Sequence, residues 1–451
     1  MNTTYLFTQT ALKFLIEPLW RDEAFSYLLA KKNIFELLVL TARDFNPPLY
    51  YVFLKVWMFI FGSSEIALRS LSLLFFMATI YVADHIFQDI FKITLKRRWI
   101  YLVLLLLNPI LLYYAFEARM YSMVAFFAAV SFYSFYTKKK KLFFYTTLFG
   151  LFTHYFMLFV IATEVIYAVA GNRFRRGKRT RSIHEYDLRD SMKPLFYFAP
   201  WLAITLFVKQ FGAAAFWIDK TKLGELSFLP GILYTGYEKN FDFYPRTPDI
   251  YPPIIFYFSL TIIFLIILGF VWRRSEHSKS NDNLFVFLFF WAFLGPCFIF
   301  FLSFVKPLFL PRYLIYASVG LVILLAYCID KLPQLARIIV IVFLLLFTWN
   351  YQKLQVKYRH KKYPAEKIKE IKSYMLPQDK LYVTNELDYF VGQYYIGKDK
   401  VVIYQKPYEE VPMYVGKVLM PKSVFTNTLP TYPFRAFVLQ PDGSYSIQSI
   451  R

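Results

Sequence analysis

KITLKRRWIYLVLLLLNPILLYYAFEARMYSMVAFFAAVSFYSFYTKKKK (92–141) decides the fold. Two apolar runs, 98–116 and 119–136, lie between a basic run at each end and meet at Glu117 and Arg119. A helix needs about 20 apolar residues to cross the hydrocarbon core of a bilayer. Loops rich in Lys and Arg stay on the cytoplasmic side. The stretch therefore reads as two transmembrane helices with cytoplasmic ends and an external turn at EAR (117–119).

The same alternation runs outward in both directions. Further apolar runs occupy 4–20, 65–91, 195–211, 251–272, 284–305, 312–329 and 337–351. The basic loops NRFRRGKRTR (172–181), RRSEHSK (273–279) and DKLPQLAR (330–337) belong with KITLKRR and KKKK on the cytoplasmic side. The run 142–170 lies between two cytoplasmic loops and must cross an even number of times. It reads as a pair of short crossings or a re-entrant hairpin turning near His154. The run 48–62 is too short to cross comfortably and reads as an external juxtamembrane or re-entrant helix that Pro47 and Pro48 start. The expectation is an all-α polytopic membrane protein of about 11 crossings, N-terminus cytoplasmic and C-terminus external. Lys13 and Glu17 make the first span short and polar for its position, which implies either a true start elsewhere or a tilted, protein-covered helix. The first residues lack the basic region and small-residue cleavage site of a signal peptide.

Composition agrees. Hydrophobic residues make up 57% of the chain, aromatics 22% and charged residues 18%, against about a quarter charged in soluble domains. Such hydrophobicity excludes a disordered chain. The net charge of +22 alone could suit a nucleic-acid binder, but a mean hydropathy of +0.40 and the long apolar runs do not. Cys297 and Cys328 lie in apolar runs and cannot build a disulfide framework or a thiolate cluster. The scattered histidines form no metal motif.

The chain divides into a membrane part, 1–351, and an external tail, 352–451. The tail reads as a small α/β domain. AEKIKEIKSYM (365–375) has helical spacing, KLYVTN (380–385), KVVIYQ (400–405) and RAFVLQ (435–440) read as strands, and PDG (441–443) is a turn. The tail holds 16 Lys plus Arg against 9 acids from 351 to 451, a basic excess suited to an anionic acceptor or headgroup.

Ionisable residues gather at the external boundary. WRDEAFSYLLA (20–30) places Asp22 and Glu23 directly after the first span. A helix start, with Asp22 as N-cap and Glu23 favoured by the helix dipole, explains them. So does a carboxylate placed to deprotonate a hydroxyl. YYAFEARMYS (113–122) adds Glu117 and Arg119 at the same boundary. Charges there are costly unless they anchor at the interface or face a cavity. His154 sits at the tip of its hairpin, and PRY (311–313) puts Arg312 at the external start of a span. In SSEIALRS (63–70), Glu65 and Arg69 are spaced for a helix-surface ion pair.

RDEA (21–24), NPPLYY (46–51), FGSSEIALRSLS (61–72), EARMYS (117–122), THY (153–155), APW (199–201) and PRY (311–313) carry a resemblance in their order and spacing. Across about 20–330 the chain resembles the GT-C membrane glycosyltransferases, specifically the family of protein O-mannosyltransferases and the lipid A aminoarabinose transferase. The resemblance implies transfer of a sugar, hexosyl or pentosyl, from a polyprenyl-phosphate donor at the outer face of the plasma membrane. The acceptor would be a hydroxyl of a protein, lipid or glycan, and the anomeric carbon would invert. It implies Asp22 as base with Glu23 beside it, and Glu117 assisting. It implies Arg119, Tyr121, His154, Arg312 and Tyr313 as contacts to donor phosphate or substrate. Some members hold a divalent cation near the carboxylates, which here would fall to Asp22 and Glu117. Members commonly have His before the Pro pair; this chain has Asn46, which puts a ligand role there in doubt.

The chain has no GxGxxG or P-loop, as suits a lipid-linked donor rather than a nucleotide sugar. Neither nucleic acid nor any certain cofactor is implied. A transporter or flippase without covalent chemistry is the alternative. Such proteins place polar groups near the bilayer midplane and show inverted repeats, whereas these carboxylates cluster at one boundary. A third reading is a scaffold whose tail recruits partners.

Overall fold

The computed structural model describes residues 3–174, 188–208, 218–238, 251–275, 282–359 and 364–451. The basic loops at 172–181 and 273–279 and the loop 212–250, expected to be external, lie partly outside them.

The chain opens with two short helices, α1 (Thr3–Gln9) and α2 (Lys13–Ile16), where the sequence predicts one span. Local chemistry breaks it. The Thr10 hydroxyl bonds back to the Leu6 carbonyl and accepts from Leu12 N, and Pro18 turns Glu17 out of helical geometry at φ −58°, ψ 153°. Lys13 pairs with Glu17 at 3.7 Å and donates to the Val356 carbonyl at 2.8 Å, so both charges are held by protein.

Three helices follow: α3 (Arg21–Lys31), α4 (Ile34–Arg43) and α5 (Leu49–Phe61). The last starts just after the Pro pair and exposes an apolar face at Phe53, Val56, Phe59 and Ile60. Next come α6 (Glu65–His85), α7 (Leu95–Leu106) and α8 (Pro109–Ala115). The expected span 98–116 is a broken one. Asn108 caps α8 through a 3.2 Å bond from Leu111 N, Pro109 takes its first position, and the axes bend by 66°. The next three, α9 (Tyr121–Tyr136), α10 (Lys140–Thr153) and α11 (Met157–Phe174), include the expected hairpin turning at His154.

The bundle closes with α12 (Leu188–Val208), α13 (Leu229–Thr235), α14 (Tyr251–Ser275), α15 (Asp282–Leu302), α16 (Ile315–Asp330) and α17 (Gln334–Tyr358). Every residue of α16 from Ile315 to Ile329 is buried, so it forms the axis of the bundle. Gly320 lets α15 approach it: a Cβ there would stand 2.7 Å from the Trp291 ring. α17 runs past the expected end at 351. Its polar last turns are anchored, with Gln352 donating to the Leu107 carbonyl at 2.5 Å and Gln355 to that of Thr235 at 3.2 Å. Outward faces stay apolar, as at Phe207, Phe264 and Val305. Among the described residues, six helices are long and apolar enough to cross a membrane, or seven if the bent pair α7–α8 counts as one. α9, which the sequence reads as a crossing, is among the shorter apolar helices. The chain is a multi-pass membrane protein.

After the bundle come α18 (Ala365–Tyr374), β1 (Lys380–Val383), α19 (Tyr389–Tyr395), β2 (Val401–Tyr404), β3 (Phe425–Thr426), β4 (Ala436–Leu439) and β5 (Tyr445–Gln448). The three strands and the helix expected from the sequence are all present. The sheet has the order β3-β2-β1-β4-β5, parallel except for β5, which returns through the PDG turn with Gly443 at φ +84°. It is seated on α3. Phe390 meets Phe25 edge-on at 5.5 Å, Tyr394 meets Tyr27 at 4.9 Å, and the Tyr395 hydroxyl accepts from Leu19 N at 2.8 Å. Glu65 takes part in this contact, accepting from Tyr395 at 3.1 Å and from Lys369 at 3.3 Å. The ion pair expected between Glu65 and Arg69 is not formed, because Arg69 turns inward to Glu23.

Candidate active site

The site starts from how α3 begins. Trp20 is its N-cap, and Glu23 reaches back to accept from Trp20 N at 3.4 Å. Asp22 is therefore not the N-cap; it sits in the first turn, about 100° around the helix from Glu23. That angle separates their roles. Glu23 is fully buried and accepts from Arg69 Nε at 2.7 Å, Arg69 Nη2 at 2.6 Å and Ala118 N at 2.9 Å. Arg69 also donates to the carbonyls of Leu15, Glu17 and Pro18. One ion pair thus ties α3 to α6, to the end of α2 and to the turn before α9. With both Glu23 oxygens engaged, its place is that of a clamp.

Asp22 faces a cavity of about 90 Å³. Arg21 lies 3.1 Å from its carboxylate. Arg119, Tyr121, Arg312 and Tyr313 line the same cavity. Arg119, from the turn before α9, donates over 3.3–3.5 Å to the Asp22 carbonyl, Ser26 and Tyr51, and its Nε has no hydrogen-bond partner. Arg312 and Tyr313 come from the 3-10 turn Pro311–Leu314 that leads into α16.

The structure thus brings Asp22, Arg119, Tyr121, Arg312 and Tyr313 to one cavity, and Glu23, Glu117 and His154 lie outside its lining. Glu117 is buried, and its carbonyl accepts from Arg119 N at 2.7 Å. His154 ends α10, accepts at Nδ1 from Phe156 N, and packs behind the wall with its ring 6.3 Å from Tyr121 and 5.5 Å from Tyr313. Burial and the neighbouring Arg119 push its pKa down to about 3, so it is neutral near pH 7 and brings no positive charge.

Asp44, Phe45 and Asn46 from the α4–α5 connection also line the cavity, as do Tyr414, Val415 and Gly416 from the sheet domain. Sequence reading singled out none of these as site residues. DFNPP (44–48) stands out only for its prolines and for Asn46, and nothing local marks 414–416 as a cavity wall. Gly416 has φ +86°, and a Cβ there would stand 2.7 Å from Phe25 and 2.9 Å from Phe390. Gly416→Ala is expected to lower the unfolding free energy by about 2 kcal/mol, combining left-handed backbone strain with a clash at the seat of the domain. Denaturant unfolding in detergent measures this, and a change below about 0.5 kcal/mol would show that the seat yields freely.

Burial raises the Asp22 carboxyl, but Arg21, Arg119 and Arg312 outweigh it and hold the pKa at about 2, against an ordinary 3.8. Asp22 thus stabilises the fold above its ordinary pKa, and that stability is lost as pH falls towards 2. Positive charge here comes from guanidinium groups. Asp22 and Glu117 do not share a cavity, and among the described residues no three His, Cys, Asp or Glu side chains group to hold a metal. The expected pair of Asp22 and Glu117 is thus not a shared cation site; the second carboxylate that lines the Asp22 cavity is Asp44.

No protein-family model matches the chain, and no curated protein matches it significantly. Solved structures do. Over 97% of its length the chain matches 93% of ArnT from Cupriavidus metallidurans in the apo state, with a TM-score of 0.60 and 12% identity. It matches ArnT bound to undecaprenyl phosphate over the same shares, with a TM-score of 0.59 and 13% identity. The chain has the GT-C fold. ArnT is the lipid A aminoarabinose transferase, so the motifs of the sequence and the three-dimensional comparison point to the same fold. Within this GT-C fold, the Asp22 cavity lies between the membrane bundle and the sheet domain.

Proposed function

We propose that the chain is a membrane glycosyltransferase. It moves a sugar from a polyprenyl-phosphate donor to a hydroxyl acceptor at the outer face, with inversion. The observation that carries this reading is the Asp22 carboxylate set among Arg21, Arg119 and Arg312 in a cavity where the bundle meets the sheet domain. The GT-C fold supports it, because a protein of that fold has been crystallised with undecaprenyl phosphate.

The cavity is far smaller than the 300–1,000 Å³ of ordinary ligand sites, so it is sized for the reacting groups rather than the whole donor. The donor is a phosphodiester with one negative charge. Asp22 takes the acceptor's proton as the acceptor oxygen bonds to the anomeric carbon. The bond from that carbon to the phosphate oxygen breaks, and its electron pair leaves with polyprenyl phosphate. The phosphate gains negative charge as this happens, so Arg119 and Arg312 interact with the transition state more strongly than with the donor. Tyr121 and Tyr313 offer hydroxyls and ring faces beside them.

A carboxylate with a pKa near 2 is ionised near neutral pH but is a weak base. Donor binding corrects this. Phosphate on Arg119 and Arg312 screens the charges that depress Asp22 and raises its pKa. The acid limb of kcat is therefore expected to lie at least about one pH unit above that of kcat/KM, which reports the free enzyme. Coincident limbs would exclude this coupling.

The deciding assay uses purified protein in liposomes with a labelled polyprenyl-phosphate sugar. A new glycosidic bond, with release of polyprenyl phosphate, supports transfer. Movement of the intact donor across the bilayer without bond change identifies a flippase instead.

A further inference from the structure

A second and much larger cavity, of about 1320 Å³, runs between helices α3 and α4 and the sheet domain. Basic side chains stand on both of its walls. Lys31, Lys32 and Arg43 come from the helices, and Lys372, Lys380, Lys398 and Lys417 from the domain. Among the described residues lining it, Asp399 is the single acid. Tyrosines stand between the charges, with Lys31 lying 5.2 Å over the Tyr27 ring and Lys417 4.2 Å over that of Tyr408.

The linings of this groove and of the Asp22 cavity include sequence neighbours in two segments. On α3, Phe25 lines the small cavity and Tyr27 the groove. In the sheet domain, Gly416 lines the small cavity and Lys417 the groove.

We propose that the groove is the binding site of the acceptor, an anionic glycan strand bearing carboxylate or phosphate groups, which it leads towards Asp22. The assignment of the strand as acceptor rests on the glycosyltransferase reading; the binding itself does not. Three features favour a strand. The volume exceeds that of an ordinary small-molecule pocket, about 300–1,000 Å³. Positive charge repeated on two facing walls suits repeated negative charge on a chain more than one headgroup. Tyrosine rings give sugar faces an apolar surface and a hydroxyl partner.

The test uses the full chain in phosphatidylcholine nanodiscs, with fluorescein-labelled oligogalacturonate as probe and a maltooligosaccharide of matched length as neutral control. Anisotropy should show the anionic probe binding at least about tenfold more tightly than the neutral one, and weakening as salt is raised. The triple variant K380E/K398E/K417E should weaken it by about tenfold or more, and K380Q/K398Q/K417Q by less. Both variants should take up undecaprenyl phosphate as the wild type does, which shows that they are folded. Equal binding of the neutral control, or unchanged affinity in the charge-reversed variant, overturns the proposal. Displacement of the probe by phosphatidylglycerol in the nanodisc also overturns it, in favour of a lipid headgroup. Probe binding by a wild type that takes up no undecaprenyl phosphate supports the groove and overturns the transferase reading alone.

Discussion

Asp22→Asn is expected to lower kcat for sugar transfer about a thousandfold, within the range for loss of a general base. The amide matches the carboxylate in shape and can still accept from Arg21 Nε, which lies 3.1 Å away. It cannot take the acceptor's proton. The fold should survive, because Arg119 bonds to the Asp22 carbonyl, Ser26 and Tyr51 rather than to the carboxylate. KM for the donor should stay the same or fall. Asp22 competes with the donor phosphate for Arg119 and Arg312, and the amide removes that competition. A reconstituted assay with donor titration reads both constants. Turnover close to wild type would remove Asp22 from the chemistry, and a raised KM with normal kcat would make it a binding residue.

The second large effect concerns stability. Arg69→Leu is expected to lower the unfolding free energy by about 3–5 kcal/mol, because it leaves Glu23 as a buried charge without its partner. It also strips a donor from the carbonyls of Leu15, Glu17 and Pro18. The double variant Glu23→Leu with Arg69→Leu should recover much of the loss, since no charge then stays buried alone. Thermal or denaturant unfolding in matched detergent gives both numbers. A single variant within about 1 kcal/mol of wild type would show that water or a shifted side chain replaces the pair.

Much of this molecule was legible in the chain. Apolar runs and basic loops gave the polytopic plan, and strand patterns at 380–385, 400–405 and 435–440 each found a strand. Breaks were harder to see. Asn108–Pro109 lies inside an apolar run, and hydropathy averages over the cap that bends it. Thr10 and Pro18 disrupt the first span in the same way. At the candidate site, charge at the boundary marks Asp22, Arg119 and Arg312, which line one cavity, but does not say where neighbouring side chains point. Asp22 and Glu23 are adjacent in sequence, yet helix geometry sends one to the cavity and the other to Arg69. Glu117 and Arg119 part in the same way across a turn. The wall from Tyr414 to Gly416 was out of reach, because only the packing of Phe390 and Gly416 on Phe25 brings it there.

Helix α3 has a bearing on how such proteins can be recombined. It carries the candidate base at Asp22, the clamp at Glu23, the seat of the sheet domain at Phe25 and Tyr27, and a wall of the basic groove at Lys31. A chimaera that replaces residues 365–451 with the corresponding part of another GT-C protein would set a foreign surface against these rings. The graft has to carry its own version of 20–31 as well. Two segments from opposite ends of the chain are in effect one exchangeable module.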